Sequence, residues 1–106
     1  MKSRSKKVRL RIILSTVDSE KNAVKIAKAL VQQNLVACVN LLPAARSVYL
    51  WQGKVCDSKE MLLVIKTTLP FKIIEAALRK IHPYEVPEIV GWEAKTVSAD
   101  YLAWAK

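Results

Sequence analysis

One predicted hairpin limits what this chain can fold into more than any other feature of the sequence. Its turn is predicted at Trp51-Gln52-Gly53-Lys54, between extended segments at 36–50 and 55–67. Each arm then holds about 14 residues and spans roughly 45 Å at the usual rise of a strand. A globular domain of this length is about 34 Å across, so the hairpin should overhang its own domain by about 10 Å.

The tip of this hairpin carries aromatic side chains that an isolated ribbon would expose to water. Tyr49 and Trp51 alternate before the turn, and Val55 follows it. A two-stranded ribbon is marginally stable at best, and its unpaired edges favour association. We therefore expect other subunits to cover it in a closed ring, with Tyr49 and Trp51 as interface anchors. The alternative is that both aromatic side chains fold back onto their own core.

Three features bear on the outline of the hairpin. Pro43 interrupts the first arm, which predicts a bulge or an unpaired edge there. Asp57-Ser58 is a second turn signal, so a tighter hairpin or a bulge at that point is an alternative. Residues 61–65 are continuously apolar, which predicts burial on both faces of the sheet.

The segment before the hairpin predicts one strand and one helix. Residues 8–17 are rich in β-branched side chains, which is typical of a strand. The polar residues 18–20 then favour a helix start, and the helix is predicted to end at about Gln33, with Asn34 as the stop. Its apolar residues recur at helical spacing and form one buried face.

The segment after the hairpin predicts a second helix, a fourth strand and a short final helix. Pro70 suits the first position of the second helix, and Pro83 ends it. Residues 87–97 are predicted to be a strand, and Ser98 caps the last helix. The order β-α-β-β-α-β, followed by a short C-terminal helix, predicts an α+β chain with a ferredoxin-like fold.

The charge of the chain is concentrated at its beginning. The net charge is +9, and six of the eighteen basic residues lie within the first eleven positions. We expect residues 1–7 to form a basic, frayed arm and residues 8–106 to form a single domain. A basic arm can touch nucleic acid, but the first strand lacks the aromatic residues on which RNA-recognition domains stack bases. We therefore expect no nucleic-acid partner.

The sequence holds no recognisable catalytic constellation. Its only histidine is His82, and no pattern pairs that histidine with a serine or cysteine nucleophile. Glu85, Glu88 and Glu93 lie on a predicted extended segment, where a paired acid–base role is poorly supported. With two glycines in 106 residues, a glycine-rich phosphate loop is excluded. We expect that the protein is not an enzyme.

Cysteine usage and hydropathy predict the cellular setting. Cys38 and Cys56 lack the spacing of a zinc site or a redox pair. No stretch approaches the length of a membrane span, and no signal peptide is visible. We expect a reduced, cytoplasmic protein without a membrane partner.

Several motifs, in order and with matching spacing, resemble the CutA family of divalent-cation tolerance proteins. They are Ala37-Cys38-Val39-Asn40-Leu41-Leu42-Pro43, Ser47-x-Tyr49-x-Trp51-x-Gly53-Lys54, Glu60, Lys66-Thr67, His82-Pro83-Tyr84-Glu85-Val86-Pro87-Glu88-Ile89 and Tyr101-Leu102-x-Trp104. The resemblance covers nearly all of the chain beyond the basic arm. It implies a ferredoxin-like fold and a tight homotrimer in which hairpins extend the sheets of neighbouring subunits.

The resemblance also implies a role in tolerance of divalent metal ions, copper in particular. The resemblance implies a copper site that some family members build from a cysteine at the end of the first strand and two adjacent histidines before Pro-Tyr. This sequence has Ser15 and Ile81 at two of those positions, so only His82 is left as a metal ligand. A single imidazole is a poor site for copper or zinc, which favours weak binding of Cu²⁺ or another divalent cation and no required cofactor. His82 has two alternative roles. Three His82 side chains could converge in a trimer and form a metal site, or His82 could form local hydrogen bonds only.

A trimer of such subunits would also hold clefts suited to a small ligand. Lys66, Tyr84 and Glu85 belong to the matching motifs and are the candidate cleft residues, and Lys66 could hold an anion. Trp104 is expected to pack at the interface with Tyr49 and Trp51. The alternative function is a ligand-sensing or partner-anchoring trimer with no specific metal site.

Overall fold

The computed structural model describes residues 8–106, so the predicted basic arm at 1–7 lies outside the described residues. The strands are β1 (Leu10–Val17), β2 (Cys38–Trp51), β3 (Lys54–Thr67) and β4 (Val90–Ala94), and the helices are α1 (Glu20–Gln32), α2 (Phe71–Ile81) and α3 (Ala99–Ala105). This order confirms the predicted β-α-β-β-α-β arrangement with a short C-terminal helix.

The strands form one antiparallel sheet in the order β2-β3-β1-β4. β1 pairs with β3 on one side, with Ile13 opposite Ile65, and with β4 on the other, with Ile13 opposite Gly91. Placing the first strand between the third and fourth is the ferredoxin-like topology, so the predicted fold is confirmed. The outer edges of β2 and β4 have no strand partner within residues 8–106.

The core lies between one face of this sheet and helices α1 and α2. Ile13 and Val17 of β1 are fully buried, as are Leu63 and Ile65 of β3. The helices contribute the buried side chains Ala23, Ile26, Leu30, Ile74 and Leu78 to the same cluster. Alternate strand residues and helical residues at three- and four-residue spacing thus supply a single core.

The opposite face of the sheet is only partly covered. Ile12, Leu14, Leu62 and Val64 point to this open face and are half-buried, and Trp92, opposite Ile12, is 51% exposed. The prediction that residues 61–65 are buried on both faces is therefore wrong for the single chain. The reason is that α1 and α2 pack on one face only.

The ends of α1 and the start of α3 follow the sequence signals, whereas Pro70 is the cap residue before α2 and not its first helical residue. The Ser19 hydroxyl accepts a hydrogen bond from the Asn22 N–H at 3.1 Å and caps α1. Asn34 adopts a left-handed conformation, with φ 58°, directly after that helix. The Ser98 hydroxyl caps α3 by accepting the Tyr101 N–H at 3.3 Å. The predicted start and stop of α1 and the predicted start of α3 are confirmed.

The hairpin turns where predicted and overhangs the domain. Gln52 and Gly53 at its tip both have positive φ, as a tight two-residue turn requires. The described structure measures 59 × 26 × 25 Å, and Val48, Leu50 and Val55 near the tip are mostly exposed, so the hairpin extends beyond the part that the helices cover. The bulge expected near Pro43 is confirmed by a register shift between Leu42 and Ala45.

One alternative and one prediction about extended segments are wrong. Asp57 and Ser58 lie inside β3, paired with Val48 and Ser47, because the Gln52-Gly53 turn already reverses the chain. The fourth strand covers Val90–Ala94 instead of 87–97. Residues 82–89 contain two prolines, which cannot donate ladder hydrogen bonds, and they form a loop. Glu85 and Glu88 therefore lie on a loop.

A substitution at Gly91 tests how closely β4 packs against β1. A Cβ atom at this position would lie 2.8 Å from the Ile12 carbonyl oxygen and 2.9 Å from Ile13 Cγ1. We predict that Gly91→Ala lowers the free energy of unfolding by about 1–3 kcal/mol, because the strand must shift to admit the methyl group. Urea denaturation at a fixed protein concentration measures this loss.

The control is Gly53→Asn in the hairpin turn. Gly53 has φ 80°, and a Cβ atom added there would meet no other atom within 4 Å. Asparagine tolerates positive φ, so this variant should lose less than about 1 kcal/mol. Equal losses in the two variants would contradict close packing at Gly91.

Candidate functional site

A cavity of about 770 Å³ lies where the overhanging part of the hairpin meets the end of β1 and the loop at 82–89. We call it the hairpin cavity. Its lining includes Asp18, Tyr49, Trp51, Glu60, Tyr84 and Glu85. The cavity thus combines aromatic walls with several carboxylates, which is the kind of lining that binds and orients a small ligand.

Glu60 and Tyr84 form the polar centre of the cavity. Glu60 is only 7% exposed, and the Tyr84 hydroxyl donates a hydrogen bond of 2.5 Å to its Oε2. Burial and this hydrogen bond to a carboxylate raise the pKa of the Tyr84 phenol well above its usual value. Tyr84 therefore stays protonated at neutral pH and acts as a donor to Glu60.

The bulge in β2 makes room for this carboxylate. Glu60 lies opposite Ala45 in the β2–β3 ladder, directly after the register shift. Ala44, in the bulge, has φ 64°. Because Ala45 is small and the bulge bends β2, the neighbouring strand does not fill the space next to the Glu60 carboxylate.

His82 fixes the position of Tyr84. The ring is buried, with Nε2 2.8 Å from the Thr16 carbonyl oxygen and Nδ1 accepting the Tyr84 N–H at 3.1 Å. A carbonyl oxygen only accepts, so Nε2 carries the proton and the ring is neutral. The two aromatic rings also meet edge to face, with centroids 4.8 Å apart. His82 thus ties the loop to β1, and a metal ion at either nitrogen would have to replace one of these hydrogen bonds.

The two other positions of the copper site that the resemblance implied both lie in or against the core of this chain. Ser15 is fully buried on the core face of β1, and its hydroxyl has no hydrogen-bond partner in the described part of the chain. Ile81 packs against the core at the end of α2. Within residues 8–106, no three His, Cys, Asp or Glu side chains are grouped so that they could hold a metal ion.

The predicted ligand residues are not all in one place. Tyr84 and Glu85 both line the hairpin cavity, whereas Lys66 does not. Lys66 lies six residues beyond Glu60 on β3, which is roughly 20 Å along a strand. Its ammonium group donates a hydrogen bond to Asn40 Oδ1 at the far end of the open face. A single chain therefore does not unite Lys66 with Tyr84 and Glu85.

The predicted interface residues are exposed in the single chain. Tyr49 and Trp51 are 45% and 41% exposed, line the hairpin cavity and belong to no core cluster of the described residues. The alternative in which they fold back onto the core is therefore not what the chain adopts. Trp104 is 62% exposed on α3, beside the ring of Tyr101 at 5.6 Å.

An ion pair joins the two strands of the hairpin next to the cavity. Arg46 donates two hydrogen bonds across the strands to Asp57, at 2.9 and 2.8 Å. The guanidinium holds the pKa of the Asp57 carboxyl below its usual value. This pair is exposed, so its main effect is to orient Arg46 towards Asp57.

Sequence reasoning missed the central role of Glu60, which it noted only as part of a family motif. A signal was present, because Glu60 directly precedes the apolar run at 61–65 and so had to lie at the border of the core. Asp18 was interpreted only as part of a helix start, and its place in the cavity depends on how β1 meets the hairpin.

Comparisons with known proteins identify the family. The family model described as the CutA1 divalent ion tolerance protein matches residues 11–106. The chain belongs to this family. The divalent-cation tolerance protein CutA of Thermus thermophilus is 44% identical over 96 residues, which is 90% of this chain and 93% of that protein. The human protein CutA is 38% identical over 92 residues, and the match spans 86% of this chain but only 51% of the human protein.

Solved structures agree with this family and with the fold. The Thermus thermophilus Cut A1 structure has a TM-score of 0.86 at 43% identity and covers 92% of this chain and 95% of its own. CutA1 of Oryza sativa has a TM-score of 0.88 at 33% identity and covers 92% of this chain and 90% of its own. The resemblance inferred from sequence motifs is therefore confirmed.

The expectation of a cytoplasmic protein is wrong as an inference from these sequence features. A structural relative from Archaeoglobus fulgidus is described as periplasmic, and an Arabidopsis thaliana relative is described as chloroplastic. The same domain thus occurs in more than one compartment, and its features do not specify one. None of the helices within residues 8–106 is long and apolar enough to cross a membrane.

The Tyr84–Glu60 hydrogen bond predicts how stability changes at alkaline pH. The pKa of Tyr84 is raised in the folded chain above the unfolded value of 10.0. The stabilisation is therefore complete below pH 10 and is lost as the pH rises further, because the unfolded chain releases its proton first. We predict that Tyr84→Phe makes the fall in unfolding free energy above pH 10 less steep.

Urea denaturation across this pH range measures the effect, and near-ultraviolet absorbance of phenolate measures the titration itself. Tyr84→Phe should remove a phenol transition well above pH 10. Tyr49→Phe is the matched control, because Tyr49 makes no comparable hydrogen bond to a buried carboxylate within residues 8–106. Identical alkaline profiles for the wild type and Tyr84→Phe would contradict the assignment.

Proposed function

We propose that this protein is a non-enzymatic homotrimer that contributes to tolerance of divalent cations through a small ligand bound in the hairpin cavity. The observation that carries this proposal is the cavity itself, which the overhanging hairpin forms with the loop at 82–89. Family membership supports the link to cation tolerance, since the family is described by that property.

Self-association is supported by exposed apolar surface in two regions. On the overhang, Val48, Leu50 and Val55 are 65%, 69% and 74% exposed. On the open face, Trp92 and Val90 are about half exposed next to half-buried strand residues. Contiguous exposed apolar surface of this kind marks an interaction site. Unpaired edges on β2 and β4, within the described part of the chain, offer backbone groups through which copies can extend each other's sheets.

The cavity and the proposed interface share residues. Tyr49 and Trp51 stand on the overhang and also line the cavity. If neighbouring subunits cover the overhang, the cavity lies at the boundary between subunits, where ligand sites commonly form. Ligand binding and assembly would then stabilise each other.

A non-enzymatic role is supported by the surroundings of the polar groups. Both ring nitrogens of His82 are hydrogen-bonded, so this histidine is not free to act as a general base. Glu60 is held by Tyr84, and among the described residues no serine or cysteine side chain hydrogen-bonds to either His82 or Glu60. The arrangement suits binding better than group transfer.

A structural role for His82 is better supported than direct binding of copper by its imidazole. A copper site generally needs three or four N, S or O ligands, whereas His82 is engaged by the backbone of Thr16 and Tyr84. We therefore propose that His82 is a structural residue and that any divalent cation binds weakly.

Assembly can be tested by light scattering. We predict a particle of about three times the chain mass of 11.9 kDa. Trp51→Lys and Trp92→Lys should each reduce this mass, because an unpaired charge buried at an interface costs several kcal/mol.

The matched control for assembly is Val31→Lys. Val31 is 44% exposed on α1, away from both the hairpin and the open face, so its replacement should leave the mass unchanged. A wild-type protein that stays a folded monomer at micromolar concentration would contradict the trimer. Equal effects of all three lysine variants would show that the chosen surfaces are not the interface.

Calorimetry with copper(II) tests the role of His82. We predict that the wild type and His82→Gln give indistinguishable weak titrations, because the glutamine amide can donate to the Thr16 carbonyl without providing an imidazole. The variant should instead lower the free energy of unfolding by about 1–3 kcal/mol through loss of the Tyr84 contact. A stoichiometric copper site that disappears in His82→Gln would contradict the structural role.

A further inference from the structure

The hairpin cavity has a charge opposite to that of the rest of the chain. Its lining carries the carboxylates of Asp18, Glu60, Glu85 and Glu88. The two cationic residues in the lining are Arg46 and Lys59, and Arg46 is paired with Asp57. The cavity is therefore acidic, although the chain carries a net charge of +9. Such a local field concentrates cations at the site.

Glu60 is the group in this cavity that most needs a positive partner. It is more than nine-tenths buried, at 7% exposure, and its one side-chain hydrogen bond within residues 8–106 comes from the Tyr84 hydroxyl. No ion pair in the described part of the chain includes Glu60. A buried carboxylate is costly unless a cation and hydrogen-bond donors satisfy it. A cationic ligand would supply that counter-charge.

The spacing of the carboxylates favours an extended cation over a metal ion. Asp18 follows β1, Glu60 lies on β3, and Glu85 and Glu88 lie on the loop at 82–89. Within residues 8–106 these carboxylates do not converge as a group of three that could hold a metal ion. A divalent cation needs several oxygen ligands within about 2.0–2.6 Å of one point. A cavity of about 770 Å³ is also far larger than a metal ion requires.

The walls of the cavity suit the carbon chain of an organic cation. The aromatic residues Tyr49, Trp51 and Tyr84 all line it. Aromatic faces attract ammonium groups, and they also pack against methylene groups. Rings beside separated carboxylates therefore match a ligand in which charged nitrogens alternate with short aliphatic segments.

We infer that the hairpin cavity binds a linear aliphatic polyamine. One ammonium group binds Glu60, a second faces the loop carboxylates Glu85 and Glu88, and the methylene chain packs between Tyr49 and Trp51. The inference deepens the proposed function and rests on it, since it names the class of ligand for the same cavity.

Isothermal titration calorimetry of the full chain with spermidine, putrescine and butanediol tests this inference. Spermidine should bind more tightly than putrescine, and uncharged butanediol should not bind. Glu60→Gln keeps the shape of the side chain and an acceptor for Tyr84 but removes the charge, so it should weaken spermidine binding by about tenfold or more. Glu75→Gln on α2 removes one carboxylate outside the cavity and should leave binding unchanged.

A second variant keeps the test decisive if Glu60→Gln does not fold. Glu85→Gln combined with Glu88→Gln changes only loop carboxylates, and it should weaken spermidine more than putrescine because the longer ligand reaches further. Added salt should weaken binding of both amines, since screening reduces the attraction between the charges.

Any one of four results would overturn the inference. Wild-type protein could fail to bind spermidine at millimolar concentration, butanediol could bind as tightly as putrescine, or both cavity variants could bind like Glu75→Gln. A Glu60-dependent site filled by copper(II) or magnesium in preference to spermidine would also overturn it, in favour of a metal site.

Light scattering on the same samples separates this inference from the proposed assembly. If the protein is a trimer that does not bind spermidine, the inference of polyamine binding is overturned and the proposed trimer stands. If the protein is a monomer whose spermidine binding depends on Glu60, the proposed trimer is overturned and the inference of polyamine binding is supported.

Discussion

The antiparallel pairing of β2 with β3 is the constraint on which the rest of this structure depends. Both strands hold 14 residues, while the core-forming strand β1 holds eight. The inner part of the pair packs one face into the core with α1 and α2, whereas Leu50 and Val55 near the tip are exposed. The overhang does not bury its apolar residues within one chain, so it carries exposed apolar surface and also forms one wall of the cavity.

The polar contacts of the site depend on the same pairing. Glu60 lies where the covered part of β3 becomes the overhang, so its carboxylate borders the core and still faces the cavity. His82 binds the β1 backbone and holds Tyr84, which completes a chain of contacts from β1 through the loop to β3. A buried histidine therefore serves Glu60 indirectly, by fixing the tyrosine that donates to it.

The contacts of His82, Tyr84 and Glu60 are the physical basis for proposing a small-ligand site instead of a metal site centred on histidine. In this chain the carboxylates are dispersed around an aromatic-walled space. Dispersed charge favours a ligand whose own charges are separated.

Sequence patterns determined the order of strands and helices, the Gln52-Gly53 turn, the bulge near Pro43 and the helix caps at Ser19 and Ser98. Each of these depends on local chemistry, such as positive φ at glycine or a hydroxyl that satisfies a free N–H group, and local chemistry is visible in the residues. Family membership was visible for the same reason, since it rests on motifs at characteristic spacing.

Only the tertiary structure decided which distant residues share a site. Tyr84 and Glu60 are 24 positions apart and meet because the loop after α2 crosses the end of the sheet. Lys66 is separated from both by its distance along β3, although the motifs suggested one cleft. Burial of residues 61–65 on a single face was likewise decided by where the helices pack. Such contacts depend on long-range packing, which a pattern of neighbouring residues does not specify.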